Sequence, residues 1–269
     1  MTRPIDDAEL YSLLHSGNAG DVEHYERVCR EASSVLELGS GSGRIAARLA
    51  QNGHHVTGLE LHEGLLARSR EVASQLPEAA RRRLTLIHGD MREFSLGRRF
   101  DRIILPYNGL YCLGGVPGAL RCLEAIREHL SPDGELWLDA YAVDAFHAEA
   151  PEDDQLTPEE DDEPVSTLTW GGRLVKAWER STWNREEQRL DVRYELRDES
   201  GALVAEQQLE HHYLLTRELV MLLDEAGLEA ILACGGFEGE PFDDDAELLV
   251  LGARPSSEEA RDTDAGDGG

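Results

Sequence analysis

Glu37, Gly39, Ser40, Gly41 and Gly43 are the residues of this chain whose types and spacing are best suited to chemistry. Glycines at every second position let backbone N–H groups approach a ligand that side chains would keep out, and the acid two places earlier sets a carboxylate beside them. Residues 35–38, Val-Leu-Glu-Leu, read as a short buried strand, and 44–51 resume helical spacing with Ile45, Ala46 and Leu49 on one face. A strand running through glycines into a helix is a ligand-binding turn. It is not the dinucleotide kind, because that fingerprint puts its third glycine at position 44, where this chain has Arg44. Arg44 itself reads as a solvated first-turn residue.

Four more segments follow at the spacing of strand–helix–strand units. Residues 54–60 read as a second strand ending on Glu60, and 84–91 as a third strand turning through Gly89, Asp90 and Met91. Residues 100–108 give a fourth strand and the loop Pro106-Tyr107-Asn108, and 130–138 a turn into a fifth strand. Taken singly, each has a bland reading: a tight connection, a solvated strand-end charge, a Gly-Asp turn. Taken in this order, the chain resembles the class I S-adenosylmethionine-dependent methyltransferases, with residues 37–43 as their motif I. The resemblance implies S-adenosylmethionine as cofactor. Glu37, Gly39, Ser40, Gly41 and Gly43 would then bind it, with Glu60 accepting from both ribose hydroxyls and Leu61 lying against adenine. Asp90 would take the adenine amino group, the Met91 backbone would read the ring edge, and Pro106 and Tyr25 would complete the cofactor site.

Methyl transfer from a sulfonium is an in-line displacement that depends mainly on positioning. A hydroxyl acceptor needs a general base, whereas an amine need only be neutral. Tyr107, Asn108 and Tyr111 are the candidates facing the methyl group, and Tyr11 and Tyr25 are placed to cover the cofactor. The candidate bases are His147, and His211 or His212, with His147 and His212 taken into the catalytic set. Asp139 and Asp144 lack a ligand cluster around them, so no metal is expected.

The elements that must hold these residues predict an α/β fold: a seven-stranded Rossmann-like methyltransferase sheet with its last strand antiparallel, plus a small antiparallel β insertion. Residues 1–32 read as N-terminal helices over the cofactor site, and 33–140 with 213–254 as the core. Residues 141–212 read as an insertion that roofs the site. It opens with a mobile loop, 149–163, holding nine acids and two prolines, and continues as an antiparallel meander. Residues 255–269 read as a disordered acidic tail.

Composition narrows the acceptor. Acidic residues number 54 against 26 basic ones, a net charge of −28, and Lys176 is the one lysine. Such a surface repels nucleic-acid phosphates. The loop agrees, since Ile104, Leu105, Pro106 and Tyr107 stand where amino-methylating DNA enzymes carry a polar residue, two prolines and an aromatic. Four scattered cysteines, an N-terminus without an apolar core and no span-length apolar window predict a cytoplasmic protein without membrane association. The expectation is therefore methyl transfer to a nitrogen or oxygen of a small molecule, by a monomer or homodimer. The alternatives are a catalytically silent S-adenosylmethionine-binding protein acting through a partner, and a dehydrogenase, which the glycine spacing disfavours.

Overall fold

The structure, a computed structural model, describes residues 6–149, 153–156, 163–170 and 172–257. Helices α1 (Asp7–Leu14) and α2 (Asp21–Val28) lead into β1 (Ser34–Leu38), α3 (Arg44–Gln51) and β2 (His55–Glu60). Next come α4 (Glu63–Gln75), α5 (Glu78–Arg81), β3 (Leu84–His88) and β4 (Phe100–Leu105). A 3-10 turn (Gly109–Leu113), α6 (Val116–His129) and β5 (Leu130–Tyr141) follow. The insertion holds α7 (Asp144–Glu149), β6 (Asp153–Leu156), β7 (Ser166–Trp170), β8 (Arg173–Asn184), β9 (Arg189–Asp198) and β10 (Leu203–His212). The chain then closes through α8 (Thr216–Glu225), β11 (Leu228–Cys234) and β12 (Leu248–Pro255).

The main sheet has seven strands in the order β11-β12-β5-β4-β1-β2-β3. Its β1–β2, β2–β3, β1–β4 and β4–β5 pairs are parallel, and β12 runs antiparallel to both β5 and β11. Parallel strands are covered on both faces, so alternate residues of one strand enter different cores. Leu36, Leu38, Ile103 and Leu105 pack with α6 and α8, whereas Val35 and Ile104 pack with α2 and α3. Each of these side chains is removed from water, which contributes about 1.5–3 kcal/mol apiece.

The predicted antiparallel insertion forms a second sheet, β10-β9-β8-β6, with β7 pairing β8 beside β6. Register sets which residues share its inner face. Glu179 stands opposite Tyr194, which stands opposite Gln207; the next rows are Ser181–Val192–Leu209 and Trp183–Leu190–His211. The sheet is tied down at two points. Leu10 of α1 is buried against Val175, Ala177 and Leu196, and Trp183 stacks on Tyr213 at 4.6 Å between centroids.

The acidic run departs from its expected loop. Helix α7 reaches Glu149, and Asp153–Leu156 pairs antiparallel with residues 181–184 of β8. A strand edge offers unpaired N–H and C=O groups to any backbone alongside, whatever its side chains carry. The remainder of 149–163 before Glu163, the tail beyond residue 257 and residues 1–5 lie outside the described residues.

Candidate active site

The three glycines of the turn are left-handed, with φ of +64° at Gly39, +54° at Gly41 and +83° at Gly43, so each of these positions favours glycine for its backbone alone. Their surroundings differ. A Cβ at Gly41 would meet only the Gly39 carbonyl oxygen at 4.0 Å, while one at Gly43 would lie 2.3 Å from Ser69 Oγ. Gly41 therefore borders open space, and Gly43 caps α3 against α4.

That open space is a cleft of about 800 Å³ at the carboxyl ends of β1 to β4. Gly39, Gly41, Glu60, Leu61, Asp90 and Met91 line it, with Pro106 and Tyr107 from the loop after β4. Glu60 is buried, and its carboxylate accepts from Gly41 N–H and His62 N–H, both at 2.7 Å. It thus braces the glycine turn from β2. Asp90 accepts from Arg92 Nε and Nη2, and the Arg92 guanidinium holds its carboxyl below the usual carboxylate range.

A recess of about 70 Å³ joins the cleft, bounded by Glu37, Ser40, Arg44 and Tyr107. Burial pushes the Glu37 carboxyl up to about 8, and its Oε2, like Ser40 Oγ, has no hydrogen-bond partner among the described residues. Arg44 is aimed here by Asp21, which accepts from Nη1 at 2.7 Å and Nη2 at 2.5 Å. A carboxyl with a free oxygen, a free hydroxyl and an anchored guanidinium suit a ligand bearing both an amino and a carboxylate group. An amino-acid tail in the recess and a nucleoside in the cleft fit S-adenosylmethionine.

On the other side of Tyr107 lies a chamber of about 200 Å³ under the second sheet. Tyr11, Tyr107, Tyr141 and Tyr194 wall it, with His15, His211 and Glu179. Burial pushes the His211 imidazole down to about 4 and lowers that of His15, so both rings are neutral at neutral pH. Tyr11 and Tyr107 line cleft, recess and chamber alike, which puts them where the three meet. Tyr107 and Asn108 adopt φ of +56° and +59°, two successive non-glycine residues in a region that costs roughly 1–2 kcal/mol each.

The sequence-derived set divides accordingly. Glu37, Gly39, Ser40, Gly41, Glu60, Leu61, Asp90, Met91, Pro106, Tyr107 and Asn108 reach the cleft, recess or chamber. Five residues do not. Tyr25 is fully buried with its hydroxyl on Asp139, and Gly43 packs on Ser69. Tyr111 is buried and donates to the Leu214 carbonyl at 3.2 Å. His147 Nδ1 lies 2.9 Å from the Tyr213 hydroxyl, away from all three spaces. His212 bonds Glu210 on the opposite face of β10, beside Gly115, because alternation along the strand sends its neighbour His211 toward the chamber. Sequence reading missed His15, Tyr141, Glu179 and Tyr194 as chamber walls and gave Arg44 no role. Alternation in β8, β9 and β10 carried a signal for Glu179, Tyr194 and His211; nothing local marked Arg44. Among the described residues no group of three or more His, Cys, Asp or Glu is placed to hold a metal ion.

Comparison with known proteins places the chain among methyltransferases. Residues 35–134 match the family described as a methyltransferase domain. The chain is 29% identical over 241 residues to dTDP-3-amino-3,6-dideoxy-alpha-D-glucopyranose N,N-dimethyltransferase of Streptomyces fradiae, covering 86% of this chain and 87% of that one. The CcbJ methyltransferase of Streptomyces caelestis superposes with a TM-score of 0.76 at 25% identity, over 90% of this chain and 92% of the other. S-adenosylmethionine-bound CalS10, an amino pentose methyltransferase of Micromonospora echinaspora, gives a TM-score of 0.63 at 22% identity, over 94% and 99% of the two chains.

Proposed function

Because this chain is a class I S-adenosylmethionine-dependent methyltransferase acting on small molecules, we propose that its acceptor atom is an amine nitrogen, carried on a molecule of about amino-sugar size. One observation carries the choice of nitrogen: the chamber is walled by four tyrosines, a carboxylate and two imidazoles held neutral. A hydroxyl acceptor must lose its proton as it reacts, and imidazoles whose affinity for protons is depressed by burial are poor bases for that step. An amine releases its proton to solvent beforehand and attacks through its lone pair. Positive charge then develops on nitrogen, and tyrosine faces with the Glu179 carboxylate stabilise it. The Streptomyces fradiae relative, named for dimethylating an amino sugar, supports the same class.

Bound S-adenosylmethionine supplies a methyl group already activated by its sulfonium. The residues around it bind and orient. Glu60 would hold the ribose hydroxyls while bracing the glycine turn, and Asp90 and Met91 would take the adenine. Glu37, Ser40 and Arg44 would hold the methionine tail. Tyr11 and Tyr107 would close on the methyl group from two sides and exclude water, with α1 and the second sheet as the roof. The acceptor would enter the chamber past Glu179, which is exposed.

Free thiols at Cys29, Cys112, Cys122 and Cys234 support a reducing, cytoplasmic setting. Among the described residues no helix is long and apolar enough to cross a membrane. The deciding experiment incubates purified protein with S-adenosylmethionine and a panel of free and nucleotide-linked amino sugars, simple amines and phenols. Products are identified by mass spectrometry. The expected result is one or two methyl groups on nitrogen; turnover confined to phenols or alcohols would overturn the nitrogen assignment.

A further inference from the structure

Asn108 is of a type that tolerates the left-handed region, but Tyr107 is not, so contacts from outside must help hold the Tyr107–Asn108 turn. Two of the contacts that hold it come from one residue. Asp139, near the end of β5 and 1% exposed, accepts at Oδ1 from Tyr107 N–H at 3.1 Å and from the Tyr25 hydroxyl at 2.5 Å. Its backbone carbonyl accepts from Asn108 N–H at 3.0 Å, and Asn108 Oδ1 accepts in turn from Tyr141 N–H at 2.7 Å. Tyr25 is wholly buried and reaches none of the cleft, recess or chamber. Asp139 Oδ2 is buried without a partner among the described residues. A dry carboxyl with one oxygen unsatisfied weakens a fold, so its presence calls for another role that retains it.

We propose that Asp139, held to α2 by the Tyr25 hydroxyl, is a positioning residue that locks the Tyr107–Asn108 turn and so sets the Tyr107 ring between cofactor and acceptor. Asp139 touches neither ligand space itself. It acts through the Tyr107 N–H, and Tyr25 acts through Asp139, which connects an N-terminal helix to the reacting centre across 114 residues of sequence. The geometry of the turn is independent of what the acceptor is, but its catalytic meaning rests on the methyl-transfer reading above. Two successive residues in a disfavoured conformation will relax once their anchor is lost, and the ring will then sample several positions.

The test places 3-fluorotyrosine at position 107 and records its fluorine resonance in S-adenosylhomocysteine-saturated protein. Wild type should give one sharp line. Asp139→Ala should split or broaden it, with smaller changes for Tyr25→Phe and Asp139→Asn, which keep the shape but weaken the anchor. Affinity for S-adenosylhomocysteine, measured by calorimetry, should stay within about three-fold of wild type in all variants. With an amine that wild type methylates, kcat should fall about ten- to a hundred-fold in Asp139→Ala while KM for S-adenosylmethionine is kept. If Asp139→Ala does not fold, Tyr25→Phe, which removes one hydroxyl, carries the same readouts. An unmoved single resonance with unchanged kcat overturns the proposal. A responsive resonance in a protein that methylates no amine instead overturns the nitrogen reading and leaves the positioning role standing.

Discussion

Glu37 is an acid that the fold keeps dry, and this makes its protonation a reporter of the recess. Burial raises it from 4.5 to about 8, so at pH 7 most of the ligand-free protein carries a proton there. The amino group of a cofactor bound next to Glu37 Oε2 would favour the ionised form, and the proton would then have to leave. We predict that S-adenosylhomocysteine binding at pH 7 releases protons, seen as a binding enthalpy that changes between phosphate and Tris buffers. Glu37→Gln should abolish the difference, and buffer-independent enthalpy in wild type would count against the assignment. The same shift sets a stability trend for the free protein. Between pH 4.5 and about 8 the folded state keeps a proton that the unfolded chain has lost, so the contribution of Glu37 to stability falls as pH rises through that window. Glu37→Gln should accordingly flatten the decline in Tm over that range.

Strand β10 shows how an element assigns roles to adjacent identical residues. His211 lies in the row Trp183–Leu190–His211 facing the chamber, with its Nδ1 3.2 Å from the Tyr141 hydroxyl. His212 lies on the opposite face, hydrogen-bonded to Glu210 at 2.8 Å. We predict that His211→Ala raises acceptor KM about ten-fold by opening the chamber wall, an effect of the size expected for one lost contact. His212→Ala should leave both kcat and KM within about two-fold, because His212 lines none of the cleft, recess or chamber. Steady-state kinetics with an amine found in the panel distinguishes them. A large effect from His212→Ala with little from His211→Ala would mean that β10 is shifted by one residue from its register here.

At the scale of the whole molecule the dominant fact is a net charge of −28. Ion pairs such as Arg44–Asp21, Arg92–Asp90 and Arg102–Glu135 neutralise some of the acids, but the excess repels itself in the compact state. Added salt shortens the Debye length from about 10 Å at 0.1 M to about 3 Å at 1 M and screens that repulsion. Tm should therefore rise between low and molar potassium chloride, as scanning calorimetry would record. A flat or falling Tm would show that surface ion pairs, which salt weakens, outweigh the net repulsion.

The grouping of residues around the cleft was legible because it is built locally. Glu37, Glu60, Asp90 and Pro106 each sit at or just past the end of a parallel strand, in a turn whose composition marks it. The right-handed crossovers of such a sheet bring those ends to one edge, so order along the chain was enough to gather them. The chamber was not legible, because its walls come from α1, the β4 loop, β5, β8, β9 and β10. Whether His211 or His212 faces inward depends on register, since a slip of one residue turns every side chain over. Tyr25 and Tyr111 had the right residue type to meet a ligand, yet packing enclosed both and gave their hydroxyls to Asp139 and Leu214. Strand β6 formed in an acid-rich stretch because backbone pairing with β8 does not depend on side-chain type. The sequence by itself thus determined the sheet, the glycine turn and the cofactor, all of which follow from short-range pattern. Tertiary structure alone decided which tyrosines wall the chamber, because that choice rests on contacts between elements distant in the chain.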